Sequence, residues 1–372
     1  GVSAVGGNAQ ATVSFTPPAS NGGSAITSYR VTPFIGTTAQ TPTTGTASPI
    51  TVTGLTNGTA YTFRVTAINI VGAGPASAAS NTATPATVPG APSGVTAVSS
   101  NAQATVSFTP PASNGGSAIT SYRVIPFVGT TAQTPTTGTA SPITVTGLTN
   151  GTTYTFTVTA INTVGAGTAS AVSNAVTPQA PVTVTLTSIG SQDGYVLELF
   201  EGSNSGGSVV AGSTASTAIR VGDDGLNRQY RSVISFDTSS IPDGATVTAA
   251  TLQIVRGGVV GSNPFATHGT LNVDVQSGAF GGSTSLQTGD FQAGATAVAT
   301  ATMSAVTTNG QVSSGTFGNA GRAAVNKSGT TQVRLSFTLD DNNDFGSDYV
   351  GFFSAANATV SNRPRLVVTY QP

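Results

Sequence analysis

Residues 8–31 read NAQATVSFTPPASNGGSAITSYRV, and residues 101–124 read the same without a change. With a few substitutions the match runs on through GTASPITVTGLTNGT to the segment TAIN. The offset is constant, so Gly1 aligns with Gly94, Tyr29 with Tyr122, Leu55 with Leu148 and Tyr61 with Tyr154. A long fixed period makes each copy one structural unit. From about Pro178 onward the sequence is unrelated and long enough for one larger core. The expected division is 1–87, 88–178 and 179–372.

Each copy is written for strands. ATVSF, at 11–15, alternates, with Val13 and Phe15 on one face. PPASNGGSA is dense in Pro, Asn and Gly and reads as a loop, ITSYRV resumes a strand, and TNGT around Asn57 is a turn. YTFRVTAIN sets Tyr61, Phe63, Val65 and Ala67 on one face and Thr62, Arg64 and Thr66 on the other. Where the copies differ here, the change falls on the outward parity: Ala60 becomes Thr153 and Arg64 becomes Thr157. Tyr61, Phe63 and Val65 recur as Tyr154, Phe156 and Val158, as a buried sandwich face demands. The linker TPATVPGAP, at 84–92, is Pro-rich and reads as extended and semi-rigid. Gly94 follows ATVPGAPS, whereas nothing precedes Gly1. The expectation is that Gly1 is not the start of translation. If the chain assembles, contacts are expected at the start of the first copy, where another chain could add a strand.

Composition narrows the function. Charged residues make up only 7% of the 372, against the usual share of about a quarter. Hydrophobic residues make up 38%, and Thr and Val, both strand formers, are abundant, which is not a disorder signature. Every Asp and Glu lies at or after Asp193, and the two copies carry only Arg30, Arg64 and Arg123 as charges. They hold no carboxylate, His or Cys for acid–base, nucleophilic or metal chemistry. A net charge of -1 leaves no basic footprint for nucleic acid. Cys is absent, so no disulfide staples the fold. No apolar run is long enough to span a membrane as a helix.

Leu55, then Tyr61 six residues on, then Ala67, Asn69 and Gly72, recur as Leu148, Tyr154, Ala160, Asn162 and Gly165. This pattern resembles the fibronectin type III module, over about residues 1–178. The resemblance implies an Ig-like sandwich in which Tyr61 and Tyr154 form a tyrosine corner, the phenol bonding back to upstream backbone. The Trp expected on the second strand is Phe15 and Phe108 here, and no RGD triplet supports integrin-type adhesion.

From Val182 nine candidate strands are legible: VTVTLTSI, GYVLELF, TAIRVG, YRSVISF, ATLQIV, LNVDVQ, TQVRLSFTL, YVGFFSA and RLVVTY. They predict a larger, jelly-roll-like sandwich, so the whole chain is all-β. AIRVGDDG, YRSVISFDTSSIPDGATVTAATL, TLDDNND and SNRPRLVVTY resemble the DNRLRE-type β-sandwich related to carbohydrate-binding modules. The resemblance implies an attached extracellular module of bacterial or archaeal surface proteins, with polysaccharide as its commonest ligand class.

Two acidic loops are the candidate metal sites. Asp340, Asn342, Asp344 and Asp348 form one, and Asp223 with Asp224 the other. Calcium takes about six to eight oxygen ligands, and such side chains supply them. The EF-hand pattern fails, because its sharp-turn Gly would fall at Phe345 and no Glu closes the loop. A solvated turn is the competing reading. Glu198 reads as a surface residue of an alternating strand, and His268, the only His, as an exposed loop residue. With no Trp, sugar contacts would fall to the remaining aromatics, of which Tyr230 and Tyr349 are the ligand-binding candidates.

The leading expectation is a non-catalytic extracellular protein, a fibronectin-type stalk carrying a β-sandwich with glycan affinity. The second is a self-assembling subunit of a filament, sheath or virion appendage, because Thr-rich edges lack the charges that block edge pairing. The third is an accessory fragment of a secreted polysaccharide hydrolase.

Overall fold

Alternation of apolar and hydroxyl residues builds the same sandwich twice. The structure is a computed structural model that describes residues 1–212, 218–339 and 345–372. The chain divides into two units, Gly1–Gln179 and Ala180–Pro372. In the first copy one antiparallel sheet has the order Val2–Gly7, Gln10–Phe15, Ile50–Thr53. The other has the order Thr38–Ala39, Ile26–Ile35, Thr62–Asn69, Gly72–Ala76, with Thr43–Gly45 also beside Ile26–Ile35. The second copy repeats both sheets strand for strand.

Parity places the core as the sequence implies. Ala11, Val13 and Phe15 are buried on one strand and Phe63 and Val65 on another. Phe63 and Phe156 are wholly inaccessible, each burial stabilising by about 1.5–3 kcal/mol. Thr66 and Thr159, assigned to the outer face, are also buried. Thr66 is a central-strand residue, paired with Arg30 on one side and Ala76 on the other, and neighbours on both sides shade it.

Side chains close the margins of the sandwich. The Asn81 side-chain amide accepts from Ala4 N–H and donates to Ala4 O, both at 2.9 Å, so it pairs with the first strand as a strand residue would. Asn174 does the same for Ala97. Ser80 Oγ accepts from Phe63 N–H and Ser77 Oγ from Val65 N–H, both at 3.0 Å. The Tyr61 hydroxyl accepts from Thr56 N–H, and that of Tyr154 from Thr149 N–H, each at 3.1 Å.

The C-terminal unit is a larger antiparallel sandwich. Its longest strand, Thr246–Val260, pairs first with Arg365–Gln371 and Val312–Thr316. Past an irregularity between Arg256 and Gly258 it pairs with Tyr349–Phe352 instead. One strand therefore serves two groups of strands, and the main core lies between them. All nine candidate segments form strands, and Gly206–Ala211, Ala297–Thr302 and Val312–Thr316 are additional ones. The segment after Leu271–Ser277 packs Phe280 and Phe291 into a smaller core with Val196 and Val233. Arg334 pins it, bonding to Asp274 at 2.7 Å and to Ala293 O at 2.6 Å, with its guanidinium 4.7 Å from the Phe280 ring centre. Among the described residues no helix is long and apolar enough to cross a membrane.

The margin bonds set an order of effects in the repeats. Tyr154→Phe, which removes one acceptor, is expected to cost about 1 kcal/mol in urea unfolding of the first unit. Asn174→Ala, which strands both a donor and an acceptor of Ala97, is expected to cost about twice that. Equal losses would show that the amide does not close the edge.

Candidate functional site

Every candidate chemical group lies in the C-terminal unit, and its buried acids organise loops. Glu198 is 1% exposed, contrary to its surface reading. It accepts from Asn204 N–H at 2.7 Å and Gln229 N–H at 3.3 Å, tying the 199–205 loop to the start of Gln229–Asp237. Asp224 accepts from Leu226 N–H and Arg228 N–H, both at 3.0 Å, and pairs with the Arg228 guanidinium at 2.5 Å. Burial pushes the Asp224 carboxyl up, but the bonds from Arg228 and Leu226 outweigh it and hold the group below its usual range. Asp223 is wholly buried and accepts from Asp348 N–H at 3.0 Å. Asp348 in turn accepts from Ser262 N–H. Asn227 accepts from Phe345 N–H at 3.1 Å.

His268 is the largest departure from the sequence reading. It follows the short helix Pro264–Thr267 and is completely buried. Its Nε2 stands 3.4 Å from Asp223 Oδ2, and neither atom has a hydrogen bond of its own. Nδ1 lies 2.7 Å from Thr267 Oγ1. The imidazole has no accessible surface and lies between the short helix and Asp223 at the end of the strand Ile219–Asp223.

The metal candidates are therefore split. Asp224 is engaged by Arg228, while Asp223 and Asp348 are turned to backbone N–H groups and His268. Asp340, Asn342 and Asp344 lie outside the described residues. Among the described residues no group of three or more His, Asp or Glu side chains is placed to hold a metal ion.

The two tyrosines do come together. Gly222 pairs with Tyr349 on one side and Tyr230 on the other. Arg220, two residues earlier on the same strand as Gly222, brings its side chain against both rings. Its guanidinium lies 4.7 Å from the Tyr349 ring centre, 5.0 Å from Tyr195 and 5.7 Å from Tyr230. The Tyr230 ring packs edge-on against both Tyr195 and Tyr349. Burial pushes the Tyr230 phenol up against the opposing bond and charge of Arg220. Tyr230 and Tyr195 are under 9% exposed and form a wall, whereas Tyr349 and Arg220 are half-buried.

Near this cluster stand exposed apolar side chains that the sequence reading missed. Leu226 is 62% exposed in the hairpin between Ile219–Asp223 and Gln229–Asp237, and Phe345, held to that hairpin by Asn227, is 69% exposed. Phe200, on the loop tied by Glu198, is 61% exposed. Loop residues carry no periodicity, and only the acids one to three positions away mark them. Phe280 and Phe291 are core, and Phe265 is half-buried against Phe337.

The first unit has known counterparts. Residues 1–83 and 90–176 both match the fibronectin type III domain. The chain is 37% identical to Endoglucanase B of Cellulomonas fimi over 188 residues, 47% of this chain and 17% of that protein. It is 42% identical to Chitinase A1 of Niallia circulans over 159 residues, 41% of this chain and 21% of that protein. The match thus spans about a fifth of each relative's length. A crystal structure of titin domains aligns with 48% of the chain and 62% of its own at 21% identity, with a TM-score of 0.32. The fibronectin type III repeats themselves contain no acid, His or Cys.

One further acid, Asp193, sets a pH dependence. It accepts from Ser188 Oγ at 2.6 Å and from Ser235 and Ala355 N–H at 3.2 Å. Burial outweighs those bonds and pushes its carboxyl up to about 6 from 3.8. A raised folded-state value stabilises fully below the unfolded value and is lost as pH rises through the folded one. The C-terminal unit is therefore expected to lose up to about 3 kcal/mol between pH 4 and pH 7.5 from this group. Asp193→Asn should flatten that slope in denaturation at the two pH values; an unchanged slope would assign it elsewhere.

Proposed function

We propose that the chain is a non-catalytic, extracellular accessory portion of a bacterial polysaccharide-acting protein. Its fibronectin type III repeats are the spacer, and its C-terminal sandwich, a jelly-roll-like module of the DNRLRE type, is the glycan-binding part. The observation that carries this reading is the aromatic end of the C-terminal unit, where Arg220 and Tyr349 stand half-exposed on strands whose adjoining loops carry the exposed Leu226 and Phe345. Apolar ring faces stack on sugar rings, and a guanidinium offers a fixed fork of donors to hydroxyls. The names of the two relatives support a cellulose- or chitin-type ligand. The acids support a binding role over a catalytic one, because those nearest this end are occupied with backbone N–H groups.

Incubation of the chain with insoluble cellulose, chitin and a panel of soluble bacterial glycans tests the reading. At least one polymer is expected to deplete the protein from solution. Tyr349→Ala and Phe345→Ala should each weaken that binding about tenfold, roughly 1.4 kcal/mol. Failure to bind any polymer, or binding unaffected in both variants, would rule out this end as the site.

A further inference from the structure

The two repeats own the same groove, and only one of them is filled. In the second repeat the linker ahead of Ser93–Ser100 lies along it. Thr87 N–H donates to Gly115 O at 2.8 Å and Gly90 N–H to Ser113 O at 2.9 Å. The Asn162 side-chain amide donates to Thr87 O at 2.7 Å and to Asn114 O at 2.9 Å. Pro89 and Pro92 are buried. Two glycines make room for the linker backbone. A Cβ on Gly167 would stand 2.2 Å from Pro89 O, and one on Gly115, which holds a φ of 75°, 2.2 Å from Thr87 O. The preceding turn docks as well, since a Cβ on Gly116 would stand 2.3 Å from Gly58 N.

In the first repeat the identical residues face open space. Pro18, Ser20, Asn21, Gly22, Asn69 and Gly74 line a groove of about 1020 Å³. The Asn69 amide reaches Asn21 O at 2.9 Å, but the second bond, which Asn162 makes to the linker, has no counterpart. Asn162 is buried and Asn69 half-buried; Ala160 is buried and Ala67 half-buried; Gly115 is buried and Gly22 exposed. At the groove's mouth Val71 is 83% exposed, against 51% for its equivalent Val164. Of the lining residues only Pro75 and Ala79 change, to Thr168 and Val172, and none of the residues named above does, so the linker is the difference that covers them.

We propose that the open groove of the first repeat is a docking site for the end of another unit of this kind: an uncharged, extended Thr-Val-Pro-Gly linker, seated as residues 87–92 are in the second repeat. The chemistry fits that occupant. The groove offers two backbone carbonyls for linker N–H groups, a free amide hydrogen for a linker carbonyl, and apolar walls for prolines. Its lining holds no charged side chain with which to select a charged peptide. A linker seated as in the second repeat would put a carbonyl against Gly74, as Pro89 O stands against Gly167; in the empty groove the Gly74 Cβ position is clear, with only Ala67 O within 4 Å, at 3.5 Å.

The test joins the sequence ATVPGAPS directly ahead of Gly1 in the full chain and follows amide hydrogen exchange of the added Thr and Gly. Exchange at least tenfold slower than in the free octapeptide is expected. Gly74→Ala in that chain should return both amides to the free-peptide rate, whereas Gly74→Ala in the original chain should leave thermal unfolding of the repeats unchanged. Free-peptide exchange in the extended chain, or protection that survives Gly74→Ala, would overturn the proposal.

Discussion

A side-chain oxygen receiving a backbone N–H from a distant strand is the interaction on which both units depend. Sandwich edges leave donors that no ladder partner reaches, and each one buried unmet costs about 1–3 kcal/mol. In the repeats Asn81, Ser80, Ser77 and Asn57 meet those donors, and their equivalents do so again a period later. With no disulfide in the chain and no carboxylate in these repeats, amides and hydroxyls carry out the whole of this task. That explains how a sequence so poor in charge folds into two defined sandwiches, since neutral groups satisfy donors without the desolvation cost of an ion.

The C-terminal unit solves the same problem with carboxylates. Asp193, Glu198, Asp223 and Asp348 all accept from backbone N–H groups far away in sequence or across a loop. A carboxylate offers more acceptor sites than an amide and can gather two segments at once. The loops so gathered are those carrying Phe200, Leu226 and Phe345. This choice makes the unit sensitive to pH, as the raised Asp193 carboxyl illustrates, while the repeats titrate no acid at all.

Most of the fold was legible because strand parity is a local property. The recurrence of Tyr61, Phe63 and Val65 against the changed Ala60 and Arg64 marks the buried face in the sequence itself. The six-residue step from Leu55 to Tyr61 located a phenol that does accept from upstream backbone. The site was far less legible. Glu198 sits on an alternating strand and His268 in a loop, so local pattern assigned both to the surface. Their burial comes from segments about 30 to 45 residues away, Gln229 for the first and Asp223 for the second. Adjacent acids in sequence also part company in space, Asp223 facing Asp348 N–H and His268 and Asp224 facing Arg228. The approach of Tyr230 and Tyr349 was invisible because it depends on Gly222 pairing with both strands at once.

The repeats show a further limit of sequence, since shared lining residues end in different surroundings. Asn162 and Asn69 occupy equivalent positions in matching strands, yet one is buried and the other half-open. The difference lies outside the sandwich core, in six linker residues that add two backbone hydrogen bonds and two buried prolines to the second repeat. Proline lowers the entropy such a segment loses on ordering, so a linker of this composition is already close to its docked form. The linker is thus as much a part of the second repeat as its strands are. The boundary of a repeat, in physical terms, falls ahead of Thr87 and not at the first residue of a strand.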